Sequence, residues 1–141
     1  MDEIVPRRPG MVRTEAVRQV PSGPATVRVR SAVGTAVVLW HGAPEEVGSE
    51  HHVEWTVDED IAWAQNTWTA ASATPGFRED GDRIVFRGRL GLTGDGMALL
   101  DVGGAPLLFE LGVPPPPDSA GATWVEVRVG RESVGVWPCR L

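Results

Sequence analysis

Three residue classes in this chain are equipped for chemistry: histidines, a block of carboxylates, and tryptophans. His51 and His52 are adjacent in an alternating segment, so they point to opposite faces, and His41 ends a different apolar run. His52 shares a face with Glu50 and Glu54, a trio that could hold a divalent ion or set a general base beside carboxylates. No His-x-His, His-Glu-x-x-His or cysteine pair supports that use, and a solvated strand face explains the trio more simply. Neither a metal nor a cofactor is implied, and no catalytic residue is assigned.

The acidic block Glu45, Glu46, Glu50, Glu54, Asp58, Glu59 and Asp60 is the most distinctive charge feature. It reads either as a solubilising face or as a surface matched to a basic partner, where charge steering raises the association rate. Six tryptophans stand beside three phenylalanines and no tyrosine, so tryptophan carries most of the aromatic function. Its large apolar body and single N–H donor suit cores, pockets and interfaces. Trp63 is the candidate for an exposed anchor, joining Glu45, Glu46, Glu50, Glu54 and Asp58 as the expected partner-binding set. Trp40, Trp55, Trp124 and Trp137 would instead line a pocket if the fold encloses an apolar ligand.

Other motifs dissolve on inspection. Arg78 to Arg83 lacks the further ligands and terminal glutamate of a calcium loop and reads as a turn. Gly91 to Gly96 lacks the following helix of a dinucleotide fingerprint and reads as a hairpin. Cys139 has no basic or histidine neighbour in sequence to activate its thiol. As the single cysteine it forms no internal disulfide, which fits a reducing, cytoplasmic setting. The run Pro114 to Pro117 reads as an extended, exposed connector.

The 141 residues suit one domain that buries roughly two-thirds of its unfolded surface without a metal or disulfide staple. No apolar run is long enough for a membrane-spanning helix, and Met1 to Arg8 has paired arginines but no apolar region of a signal peptide. The net charge of −6 is unevenly spread, and every basic side chain is arginine. Residues 1–30 hold six arginines against three acids, residues 31–82 one against ten, and residues 83–141 six against six. Net acidity disfavours general binding to nucleic acid, where phosphate neutralisation supplies most of the affinity.

These side chains must be positioned by strands, because the dominant hydrophobic period is two. Alternation or β-branched runs mark strands near Val27–Arg30, Thr35–Trp40, His51–Val57, Ile84–Leu92, Met97–Val102, Leu107–Leu111, Thr123–Val129 and Ser133–Trp137. Hairpin turns fall at Thr93–Gly96 and Gly103–Pro106. Asp58 to Trp68 is the one helix candidate, with Asp58 as its cap and Ile61, Ala64, Trp68 and Ala71 on one face. Alternation of Ile61 with Trp63 fits a strand as well. The expected fold is all-β, an antiparallel small barrel or sandwich of about eight strands with at most one short helix. Residues 1–24, rich in proline and arginine, read as a flexible arm on a single domain over residues 25–141.

Residues 83–138 resemble an OB-fold, the five-stranded Greek-key barrel. A long first strand with Gly88 inside it, a hairpin and a short third strand are followed by Gly121–Val127 and Val134–Pro138, similar to the last two strands of such barrels. A proline loop replaces the usual connecting helix. The resemblance implies a surface for single-stranded nucleic acid or sugars built from aromatics and basic residues. A closed eight-stranded barrel that also uses residues 26–57 fits the same pattern.

No catalytic constellation emerges, so the leading expectation is a non-enzymatic, cytoplasmic binding module for a basic protein partner, of the inhibitor or immunity type. A small-barrel enzyme or binder of a small apolar ligand is the alternative. A nucleic-acid binder using Arg28, Arg30, Arg87, Arg89 and Arg128 is the third, and requires those arginines on one face away from the acidic block.

Overall fold

Alternation becomes eleven strands in the computed structural model, which describes residues 11–17 and 25–139. They are β1 (Met11–Ala16), β2 (Thr26–Ser31), β3 (Gly34–Trp40), β4 (Glu50–Val57), β5 (Thr67–Thr69) and β6 (Gly76–Asp80). β7 (Arg83–Leu92), β8 (Met97–Val102), β9 (Ala105–Glu110), β10 (Trp124–Gly130) and β11 (Val134–Pro138) complete the set. Helical structure among the described residues is limited to three single 3-10 turns at Pro44–Glu46, Asp118–Ala120 and Arg131–Ser133. No helix among them is long and apolar enough to cross a membrane.

Five strands close a barrel. β1 pairs antiparallel with β2 and β4, β2 with β3, and β4 with β11. A parallel contact between β11 and β3 shuts the ring, where the His41 amide donates to the Val136 carbonyl at 3.0 Å. The remaining strands extend this sheet from the β3 edge. β6 joins β3 in parallel through Gly34 and Thr35, and β7 lies antiparallel to β6. Ten residues long, β7 serves two neighbours on one edge: Arg83–Arg87 pairs with β6 and Arg89–Leu92 with β8. β10 lies along its other edge and carries β5, while β9 pairs with β8.

One apolar cluster fills the space between these strands. Val27, Val29, Ala36 and Val38 enter it from the barrel, and Ile84, Phe86, Val125, Val127 and Val129 from the added sheet. Trp55 from β4 meets Phe77 of β6 and Phe86 of β7 edge-on, at centroid distances of 5.2 and 5.6 Å. Aromatic pairs of this geometry add about 0.5–1.5 kcal/mol beyond burial alone. Barrel and added sheet therefore share a core.

The all-β expectation holds, and the architecture is a closed barrel with additional strands, eleven in all against about eight expected. The extra three are β1, β5 and β6. Met11–Ala16, within the stretch read as an arm, is β1 of the barrel, while residues 1–10 and 18–24 lie outside the described residues. The helix expected over Asp58–Trp68 is absent. Ile61 bridges Leu111 instead, its amide donating to Glu110 at 3.0 Å while its carbonyl accepts from Gly112 at 2.7 Å. Asn66 holds the following turn, accepting from the Ala62 amide at 2.8 Å and donating to the Asp60 carbonyl at 2.8 Å. Those tertiary bonds claim the backbone groups that a helix would have used. Of the segment 83–138, only β11 belongs to the closed ring, whose other four strands come from residues 11–57.

The seam between the two parts requires glycine. A Cβ on Gly34 would sit 2.1 Å from the Phe77 carbonyl oxygen, an approach that backbone cannot yield to cheaply. Gly91 tolerates a methyl, because its nearest neighbour would be the Leu99 carbonyl oxygen at 3.6 Å. Gly34→Ala is expected to destabilise the fold by about 1–3 kcal/mol, with Gly91→Ala much milder. Urea denaturation midpoints measure both, and equal midpoints for the two variants would discard this account of the seam.

Candidate functional site

Strand alternation sorts the predicted residues by face. On β4, Val53 and Trp55 point into the core, which puts Glu50, His52, Glu54 and Thr56 on the outer surface. Glu50, Glu54 and the following Asp58 are exposed. Glu45 is exposed on the 3-10 turn, while Glu46 is half-buried and its Oε1 accepts the Ala43 amide at 3.1 Å. Glu46 therefore serves the loop as well as the acidic surface.

Antiparallel β11 lies beside β4 with Trp137 directly opposite Glu54. Trp137 is 48% exposed. The His41 ring stacks on it, with centroids 4.6 Å apart and planes 17° from parallel. His41 reaches this position because Gly135 has no side chain. A Cβ there would lie 2.3 Å from His41 Nε2. The result is a large, nearly half-exposed aromatic ring stacked on a neighbour and in register with a carboxylate.

The other expected residues scatter. Trp63, expected as the exposed anchor, is half-buried and packs against the core. Trp40 and Trp55 are buried in the core, whereas Trp137 faces outward and Trp124 lies opposite exposed Arg89 on the added sheet. The four tryptophans of the expected pocket thus do not converge. Trp40 donates from Nε1 to the Ala43 carbonyl at 2.9 Å and lines a cleft of about 370 Å³ with Ala16, Val17, Ala25, Pro44 and Val47.

The histidine pair divides as expected. His51 turns toward the barrel end, where its Nε2 lies 2.6 Å from the Glu46 carbonyl and its ring 5.5 Å from Trp40. His52 Nε2 is buried and has no hydrogen-bond partner among the described residues. No group of three or more His, Cys, Asp or Glu side chains there is gathered as a metal ion would need.

The arginines occupy outer faces too. Arg87, Arg89 and Arg128 share the outside of β7 and β10, whereas Arg28 and Arg30 lie on β2 and pair with Glu15 at 3.9 and 2.8 Å. Comparison with protein-family models, curated proteins and solved structures returns no match for this chain.

Sequence reasoning passed over His41 as a partner of Trp137 and passed over Gly135 entirely. A glycine between two valines in an aliphatic strand signals close approach by another group, and that signal was present in Val134-Gly135-Val136-Trp137. Gly135→Ala is expected to displace His41 and move the Trp137 indole N–H resonance in a ¹H–¹⁵N spectrum, as His41→Ala would. The Trp55 indole should stay in place. An unmoved Trp137 signal in both variants would remove His41 as its support.

Proposed function

We propose that this protein is a non-enzymatic binding module that docks a basic protein partner on the outer face of β4 and β11. Trp137 is the anchor, and Glu50, Glu54, Asp58 and Glu45 form its acidic surroundings. The observation that carries the reading is the nearly half-exposed indole, stacked on His41 and facing Glu54 across the strand pair. Large rings clamped at the surface are favoured as binding hot spots, since little side-chain entropy remains to be lost. The carboxylates around it add steering and reject acidic competitors.

We also read the five-stranded ring as OB-like. Support comes from its strand order, β1-β2-β3-β11-β4, and from the parallel contact of its third and last strands. The free, exposed Cys139 fits a cytoplasmic setting, and an inhibitor or immunity role matches an acidic module of this size.

The test is capture from lysate of the source organism, run in parallel with wild-type, Trp137→Ala and Glu54→Lys chains. Wild type should retain one protein in stoichiometric amount, released at high salt. Trp137→Ala should weaken that complex about 30-fold, the scale of a hot-spot truncation, and Glu54→Lys should slow its formation. A wild-type chain that retains no protein, or a complex indifferent to both substitutions, would sink the proposal.

A further inference from the structure

The outer face of β6, β7, β10 and β5 has the opposite character. Its register sets Trp68 opposite Glu126, Glu126 opposite Arg87, and Trp124 opposite Arg89. Trp68 and Trp124 are thus diagonal neighbours, within roughly 8 Å of each other by sheet geometry. Trp68 is 38% exposed, and the Arg128 guanidinium carbon lies 5.6 Å from its ring centroid. Arginines outnumber the acids that could neutralise them. Glu126 takes Arg87 at 2.9 Å and Arg78 at 3.7 Å, and Asp80 takes Arg128 at 3.2 Å. Arg89 donates only to the Ala122 carbonyl, at 3.2 Å, and has no ion pair among the described residues.

One row of this face continues onto the barrel. Arg128, Val85 and Arg78 are partners across β10, β7 and β6, and Thr35, Arg30 and Arg13 extend the row over β3, β2 and β1. At about 4.8 Å per strand, the row runs on the order of 24 Å before meeting Glu50 on β4. Net charge conceals this segregation. At physiological ionic strength the screening length is about 8 Å, so an arginine face answers mainly to its own neighbours.

We propose that this face binds single-stranded nucleic acid, with bases stacked on Trp68 and Trp124 and phosphates held by Arg87, Arg89 and Arg128. Partly exposed indoles beside forked cations, one guanidinium already lying over the Trp68 ring, suit a ligand that alternates planar rings with anions. An acidic peptide would engage the arginines and leave both rings unused. A duplex keeps its bases stacked within itself and would offer phosphates alone.

Fluorescence anisotropy of a labelled short oligothymidylate with the full chain tests the assignment. Binding that neutralises about two phosphates, the excess of Arg78, Arg87, Arg89 and Arg128 over Glu126 and Asp80, should weaken about sevenfold between about 50 and about 200 mM salt. Trp68→Ala should weaken binding about tenfold, while Trp68→Phe, which keeps an aromatic face, should retain most of it. Arg89→Gln should flatten the salt dependence, and Trp137→Ala should leave binding unchanged. The last variant separates this face from the acidic one, so either reading can fail alone. Absence of binding at low salt, wild-type affinity in Trp68→Ala and Arg89→Gln, or equal competition by polyglutamate or duplex DNA would each overturn the proposal.

Discussion

Everything outside the barrel hangs on the passage of Gly34 against the Phe77 backbone. Only without a side chain on Gly34 can β6 lie parallel to β3 at that point. Once it does, Phe77 enters the core beside Trp55, and Phe86 follows from the antiparallel partner strand. The ring of five strands and the added sheet are thereby fused through three aromatic side chains rather than through a linker. β7, β10 and β5 inherit their positions from this seam, because each pairs in turn with the strand before it. The barrel closure and the added sheet compete for the same edge of β3, which is divided along its length. Gly34 and Thr35 serve β6, Leu39 and Trp40 serve β11, and between them the Val37 amide donates to Glu79 Oε1 at 3.2 Å. Glu79 thus spans the gap where the two partners of β3 diverge.

The outer surface follows a different rule, since most outward side chains of the sheet are exposed or half-buried. Val85 is buried although it stands apart from the apolar core, flanked in register by Arg78 and Arg128. Long arginine stems commonly shield such positions while their charged heads stay in water. Lysine would shield equally well, but the guanidinium fork can close on one carboxylate oxygen with two N–H groups, as Arg87 does through Nε and Nη2 to Glu126 Oε2 at 3.1 and 2.9 Å. These ion pairs are partly exposed, and such pairs contribute little to stability. Their effect is to fix where the guanidinium heads stand.

Eight of the strands were legible because inward positions are aliphatic and outward ones are not. The three that were missed break that code for identifiable reasons. In β1 the inward residue at the centre is Thr14, fully buried and satisfied by donating to the Ser49 carbonyl at 3.0 Å and accepting from the Gly48 amide at 3.1 Å. β5 inverts the pattern, with Thr67 buried and Trp68 exposed. β6 offers one apolar residue, Phe77, before three charges. The helix expectation failed on the same ground: local spacing was read where the Ile61 bridge to Leu111 decided the conformation. The acidic half of the proposed site was legible as composition. Its tryptophan was not, because choosing Trp137 over Trp63 depends on which strand β11 joins, and strand neighbours are a property of topology.

Both surfaces proposed here are built largely on strands, and this bears on what they can do. A loop site adapts to its ligand and loses entropy on binding, whereas side chains rooted in paired strands hold their spacing beforehand. His41 shows how far that goes: it sits on the end of β3, yet its ring is seated on β11 over Gly135, so the aromatic stack ties two strands that meet in parallel at the barrel closure. The arginine–tryptophan face depends instead on β7 and β10, which pair along seven consecutive residues and are fixed from beneath by buried valines. The two faces share a core and the edge of β3, which seats each of them at a different point along its length. Away from that edge each is carried by its own strand pair, β4 with β11 and β7 with β10.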